Sequence, residues 1–94
     1  MKYSIDNMRI GGFDKNYWLA QLEEFANMFD SKKIEHVSFG KQDIRGAYSI
    51  TLFDTNQCVP DQLMFDSKGE LLGYVKGCNR MYRERKNAKL TTIQ

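Results

Sequence analysis

Two segments of the chain carry apolar residues at helical spacing, and this feature limits the fold more than any other. The first segment runs from about Lys15 to Asp30, and Asp14 stands where an N-cap residue would start a helix. Its apolar stripe consists of Trp18, Leu22, Phe25 and Phe29, with Leu19 and Ala26 beside it. Because polar residues fill the opposite side, the pattern predicts an amphipathic helix that packs one face against a core.

The second segment begins at Ser67-Lys68-Gly69-Glu70, which has the form of a capping box. In this motif the serine and the glutamate satisfy each other's free backbone N–H groups in the first turn of a helix. The pattern predicts a helix from there to about Arg85, and its expected buried stripe is Leu71, Val75, Cys78 and Tyr82. The basic C-terminal segment, residues 86–94, shows no periodic spacing of apolar residues, so we expect it to be a frayed tail.

Short segments between and before these helices alternate apolar and polar residues as strands do. Three of them lie at 34–39, 47–53 and 62–65. A further strand begins at Met1, and its alternation resumes out of step after Asp6, which indicates a bulge or kink.

A helix with one apolar stripe can bury it only against a sheet or another helix, so these elements predict a two-layer α+β sandwich. The expected order is β-α-β-β-β-α, with two helices and an antiparallel sheet of three to four strands. With 94 residues in all, we expect a single domain over residues 1–85. No apolar run approaches the ~20 residues of a membrane-spanning helix, and the segment from Met1 to Asp6 lacks the unbroken apolar stretch of a secretory signal. We therefore expect a cytoplasmic protein without membrane contact.

Charge is distributed unevenly along the chain. The formal net charge is +2, yet residues 76–89 hold six cations against Glu84 alone, six minus one giving +5. These cations are Lys76, Arg80, Arg83, Arg85, Lys86 and Lys89. Clustered Arg and Lys can bind an acidic protein surface or a phosphate backbone. The alternative is a solvated helix end, whose cations favour the negative end of the helix dipole.

Aromatic residues exceed what one stripe per element can bury. Tyr82 stands among the cations, and Phe53 is predicted on the sheet face opposite Tyr48 and Ile50. Because Tyr, Trp, Met and Arg are enriched in the centres of protein interfaces, Tyr82 and Phe53 join the six cations as candidate partner-binding residues.

The sequence offers little for catalysis or for metal binding. Cys58, Cys78 and His36 lack the spacing and the fourth ligand of a conventional zinc site, and no phosphate-binding loop or nucleophile motif is present. We therefore predict a non-enzyme without metal or cofactor. One alternative is a small ribonuclease toxin that uses His36, Lys41, Arg45 and Tyr48 together with Arg80 and Arg83.

The order helix, three strands, helix over residues 15–85 resembles the double-stranded RNA-binding domain. That resemblance implies two helices on one face of the sheet and phosphate contacts from lysines at the start of the last helix. The matching stretch here, Ser67-Lys68-Gly69-Glu70, holds one lysine and one glutamate.

A shorter stretch, Phe65-Asp66-Ser67 followed by Glu70-Leu71 and Gly77, is similar to the strand-to-helix junction of some small phage-encoded anti-CRISPR proteins. This resemblance implies a phage or mobile-element protein that inhibits a host defence or nucleic-acid-processing assembly by direct protein contact. Our sequence-based hypothesis is such a protein-binding inhibitor or adaptor. A direct RNA- or DNA-binding module stays open beside it, as does a homodimer.

Overall fold

A computed structural model of the chain describes residues 2–12, 14–29, 34–41, 46–56 and 58–93, with side chains up to Asn87. The predicted element order β-α-β-β-β-α and the α+β class are confirmed. The elements are β1 (Lys2–Asp6), α1 (Lys15–Asn27), β2 (Ile34–Lys41), β3 (Tyr48–Asp54), β4 (Asp61–Phe65) and α2 (Lys68–Ile93).

The four strands form one sheet in the order β1-β2-β3-β4. The pairs β2–β3 and β3–β4 are antiparallel as predicted, but β1 runs parallel to β2, so the sheet is mixed. The expectation of an antiparallel sheet was therefore wrong for this strand. The reason is α1: a helix between two neighbouring strands carries the chain back to its starting end, so the second strand repeats the direction of the first.

Strand β1 is also shorter than predicted. It ends at Asp6, and Asn7 adopts a positive φ of 55°, which turns the chain out of the sheet in place of the expected bulge. Met8 and Ile10 then pack against the core from irregular backbone. Gly40 allows β1 to end close to β2, because a Cβ atom there would lie 2.9 Å from the Asp6 carbonyl oxygen.

Both helices pack on one face of the sheet, and Phe39 of β2 lies at the centre of this layer. Its ring contacts those of Trp18 and Phe25, with centroid distances of 6.4 and 6.0 Å. The predicted stripe of α1 is confirmed at Trp18, Leu22 and Phe25, while Phe29 is only partly buried. The buried apolar residues are Trp18, Leu22, Phe25, Ala26, Val37, Phe39, Ile50, Leu71 and Val75.

The start of α2 follows the predicted capping box in part. Ser67 Oγ accepts a hydrogen bond from the Glu70 N–H at 3.1 Å. Glu70 Oε2 accepts one from the Asp66 N–H at 3.0 Å, one residue before the N–H that the motif specifies. The helix then continues beyond Arg85 to Ile93, across the segment predicted to be a frayed tail.

The buried stripe of α2 differs from the prediction after Val75. Asn79 is fully buried, Cys78 is half-buried and Tyr82 is exposed. Asn79 faces α1, where its Nδ2 donates hydrogen bonds to the backbone oxygen and Oε1 of Gln21 at 3.1 and 2.9 Å. Tyr82 lies one turn farther along, where the same side of α2 is less completely covered.

Neither cysteine forms a disulfide: Cys58 is an exposed free thiol, and Cys78 is a half-buried one. We therefore expect a reducing agent to leave the melting temperature unchanged, because no cross-link would be lost. Thermal denaturation with and without reductant measures this. A Cys58→Ser variant is the control and should melt like the unmodified chain. A clear fall in melting temperature on reduction would contradict the assignment.

Within the described residues, no helix has both the length and the apolar character that a membrane crossing requires.

Candidate functional site

The C-terminal half of α2 projects from the body of the domain. Every residue from Arg80 to Asn87 is exposed, and we call residues 80–87 the α2 extension. A 26-residue helix is roughly 39 Å long, whereas the whole molecule measures 51 × 35 × 20 Å. The radius of gyration of 14.4 Å likewise exceeds the roughly 12 Å of a compact domain of this length. The extension therefore presents side chains that the core does not need.

One side of α2 carries the predicted basic face. Lys76, Arg80 and Arg83 lie together and, with Gln21 of α1, line a shallow cavity of about 250 Å³. Lys76 Nζ lies 5.8 Å from the centroid of the Tyr17 ring.

Carboxylates pair with two of the cations on this face. Arg83 Nε lies 3.0 Å from Glu24 Oε1, and Arg80 Nε lies 3.1 Å from Glu84 Oε1. Exposed pairs of this kind contribute at most about 1 kcal/mol to stability. Their local effect is to neutralise part of the positive charge that the sequence suggests.

The remaining predicted cations lie farther along the helix. Arg85 and Lys86 are exposed, and no carboxylate in the described part of the chain forms a salt bridge with either. Lys89 belongs to α2, but its side chain lies outside the described residues. The unpaired positive charge of α2 therefore begins at Arg85 among the residues of the extension.

The other side of the extension is apolar. Met81 and Tyr82 are 55% and 39% exposed, and with Cys78, Arg85 and Met28, which follows α1, they surround a shallow cavity of about 210 Å³. Sequence reasoning singled out Tyr82 and Arg85 but missed Met81 and Met28. The signal for Met81 was present, because it continues the spacing of Tyr74 and Cys78 on a second stripe beside the buried one.

Tyr74 stands at the start of this second stripe. Its ring packs against Phe65 of β4, with the centroids 5.5 Å apart. Partial burial raises the pKa of the Tyr74 phenol above its ordinary value of 10.0. The charge of Cys78 and a hydrogen bond with Cys78 also raise this pKa.

The helix-free face of the sheet holds Phe53 and His36, as the alternation of β2 and β3 predicts. Their rings stack with centroids 5.1 Å apart. Ser4 Oγ lies 2.8 Å from His36 Nε2 and donates a hydrogen bond to Asp6 Oδ2 at 3.0 Å, and Ser38 Oγ donates another to the same oxygen. His36 is thus hydrogen-bonded to Ser4 within a network that links β1 and β2.

A shallow cavity of about 300 Å³ lies beside that network. Small residues form its floor, and Phe53 and Gln62 stand at its edge; the floor residues are Ser38, Gly40, Ser49 and Thr51. The cavity is broad and open, and Phe53 contributes an aromatic side chain to its lining. Phe53 thus lies on the face of the sheet opposite to α2.

The residues of the ribonuclease alternative are not brought together. His36 lies on the helix-free face, whereas Arg80 and Arg83 belong to α2 on the opposite face. Lys41 Nζ lies 5.8 Å from the centroid of the Tyr48 ring, and Arg45 lies outside the described residues. In the described part of the chain, no group of three or more His, Cys, Asp or Glu side chains is arranged to hold a metal ion.

No protein-family model matches the chain, and no curated protein matches its sequence. The likeness to double-stranded RNA-binding domains therefore stays a prediction from the order of the elements. The likeness to anti-CRISPR proteins stays a prediction from one short stretch of sequence.

Proposed function

We propose that the protein is a non-enzymatic binding protein that inhibits or adapts a larger protein assembly through the α2 extension. The observation that carries the proposal is the exposed pair Met81 and Tyr82, which stands beside the unpaired cations Arg85 and Lys86 on a helix that projects from the core. Met, Tyr and Arg are enriched in the centres of protein interfaces, and lysine is depleted there. Met81, Tyr82 and Arg85 are therefore the expected centre, and Lys86 belongs to the rim.

The chemistry of these side chains specifies the partner surface. Met81 and Tyr82 flank the cavity beside Met28, so an apolar side chain of the partner can insert between them. Arg85 and Lys86 favour a partner whose surrounding surface is acidic, because opposite charges around an apolar contact steer association and set its orientation. We thus expect an acidic protein surface with at least one apolar residue at its centre.

The class of assembly follows from the likeness at the start of α2 to anti-CRISPR proteins. It suggests a protein encoded by a phage or a mobile element, acting in the cytoplasm on a host defence or nucleic-acid-processing complex. No catalytic step is required of such an inhibitor, since occupancy of the partner surface is sufficient.

Direct binding to RNA or DNA is the weaker proposal, for two reasons. The guanidinium groups of Arg80 and Arg83 already pair with carboxylates. Lys68, the lysine at the start of α2, donates a hydrogen bond to the Arg9 backbone oxygen at 2.9 Å. In the double-stranded RNA-binding mode, lysines at that position would have to reach phosphates.

A salt titration separates these two partner classes. We expect no saturable binding of labelled RNA or DNA, duplex or single-stranded, at about 150 mM salt, because an interface centred on Met81 and Tyr82 gains little from phosphates. Fluorescence anisotropy over a range of salt concentrations measures this. Micromolar binding that weakens steeply with salt and is lost in Arg85→Glu, but not in the control Lys2→Glu on β1, would replace the proposal with nucleic-acid binding.

A further inference from the structure

Strand β4 is an edge of the sheet that lacks the usual protection after its first residue. It pairs with β3 on one side, and no strand of the described chain lies along its other side. Exposed edges are normally blocked by lysine, proline, a bulge or a covering element. Pro60 precedes the strand and Asp61 begins it, but Gln62 to Phe65 contain no charged residue and no proline, and the pairing with β3 has no register shift.

Both faces of this edge expose apolar side chains. Leu63 and Met64 are 40% and 46% exposed and point to opposite faces, since neighbouring residues in a strand alternate. Tyr74 extends the patch onto α2, where it packs on Phe65 and is itself partly exposed. Because Asn79 and Arg83 contact α1 on the other side of α2, this patch lies on the side of the molecule away from α1.

We propose that β4 pairs antiparallel with β4 of a second copy of this chain, so that the two sheets become continuous across a two-fold axis. This inference goes beyond the proposed function and rests on different residues. In an antiparallel pair centred on Leu63, that residue faces its equivalent, Gln62 faces Met64, and Asp61 faces Phe65. No like charges are opposed, and the strand is therefore complementary to itself.

The opposite edge of the sheet offers a matched comparison. Strand β1 carries Lys2 and Asp6 at its ends, and the chain turns away at Asn7. Tyr3 in its middle is 41% exposed, nearly the same as Leu63. The two edges therefore differ in charge while presenting a similarly exposed apolar residue.

Light scattering coupled to size-exclusion chromatography tests the proposal. We expect a mass of about 22 kDa, twice the chain mass of 11.0 kDa, for the unmodified chain. Leu63→Lys and Met64→Lys should each raise the dimer dissociation constant at least about 100-fold, because each variant places like charges near the two-fold axis. Tyr3→Lys, the control, should keep the dimer. Circular dichroism and the melting temperature establish that each variant is folded.

A cross-linking experiment tests the register without relying on lost binding. In a Cys58→Ser background, Leu63→Cys should form an intermolecular disulfide on mild oxidation, because the two equivalent residues face each other; Tyr3→Cys should not. A monomer at every concentration up to about 1 mM would overturn the proposal. It would also be overturned if the dimer persisted in both lysine variants of β4, or if Tyr3→Lys alone dissociated it.

Discussion

Truncation of Phe25 to alanine is expected to lower the free energy of unfolding by about 3–5 kcal/mol. Phe25 is almost completely buried, and its ring contacts those of Phe29 and Phe39 at centroid distances of 5.3 and 6.0 Å. The substitution leaves a cavity where α1 meets the sheet, and the surrounding rings can fill it only in part. For a domain of this length, that loss is a large fraction of the total stability.

The control for this prediction is Tyr17→Ala, which removes an aromatic ring from the exposed side of the same helix. Tyr17 contacts Lys76 but contributes nothing to the core, so we expect a loss below about 1 kcal/mol. Urea denaturation of both variants gives the two free energies. Equal losses, or an unchanged melting temperature for Phe25→Ala, would show that the buried face of α1 is assigned incorrectly.

The second large effect concerns binding. The double substitution Tyr82→Ala and Arg85→Glu should weaken binding to the partner at least about 100-fold while leaving the fold intact. Aromatic and arginine side chains at the centre of an interface commonly contribute about 2 kcal/mol or more each. Both residues are exposed and neither belongs to the hydrophobic core, so we expect the fold to tolerate their replacement.

The matched control is Tyr3→Ala with Lys2→Glu on β1. Tyr3 has nearly the same exposure as Tyr82, at 41% against 39%, and the charge change is identical. Affinity capture from a lysate of the candidate host supplies the partner, and isothermal titration calorimetry of the purified components gives the affinities. If the control weakened binding as much as the variant in the extension, the α2 extension would not be the interface.

Much of the fold could be predicted because its signals are local. The spacing of Trp18, Leu22 and Phe25 identifies the buried face of α1, and alternation places His36 opposite Val37. The direction of β1 could not be obtained in this way. The direction of β1 relative to β2 depends on which end of the sheet the chain reaches after α1, and the residues within β1 do not indicate that end.

In the candidate site, too, the local helical pattern could be predicted and the contacts between elements could not. Helical spacing correctly groups Lys76, Arg80 and Arg83, but the partner of Arg83 is Glu24 on a different helix, 59 positions earlier in the chain (83 minus 24). Only the packing of α1 against α2 reveals that pairing. The sequence therefore overstates the free positive charge of this face.

The difference between Asn79 and Tyr82 has a related cause. An apolar stripe predicts burial only where a neighbouring element covers it. α1 covers the side of α2 near Asn79, whose Nδ2 group donates hydrogen bonds to Gln21, whereas Tyr82 stays partly exposed. How far a helix extends past its layer depends on the lengths of other elements, which the pattern within α2 does not contain.

Hydrogen–deuterium exchange of the protein with and without its captured partner tests the central claim most directly. Every residue of the α2 extension is exposed, so its amides should exchange more quickly in the free protein than those of the buried part of α2. We expect the partner to slow exchange across residues 80–87 and to leave exchange in β1 unchanged. Protection confined to the helix-free face of the sheet around Phe53, with no change in residues 80–87, would contradict it.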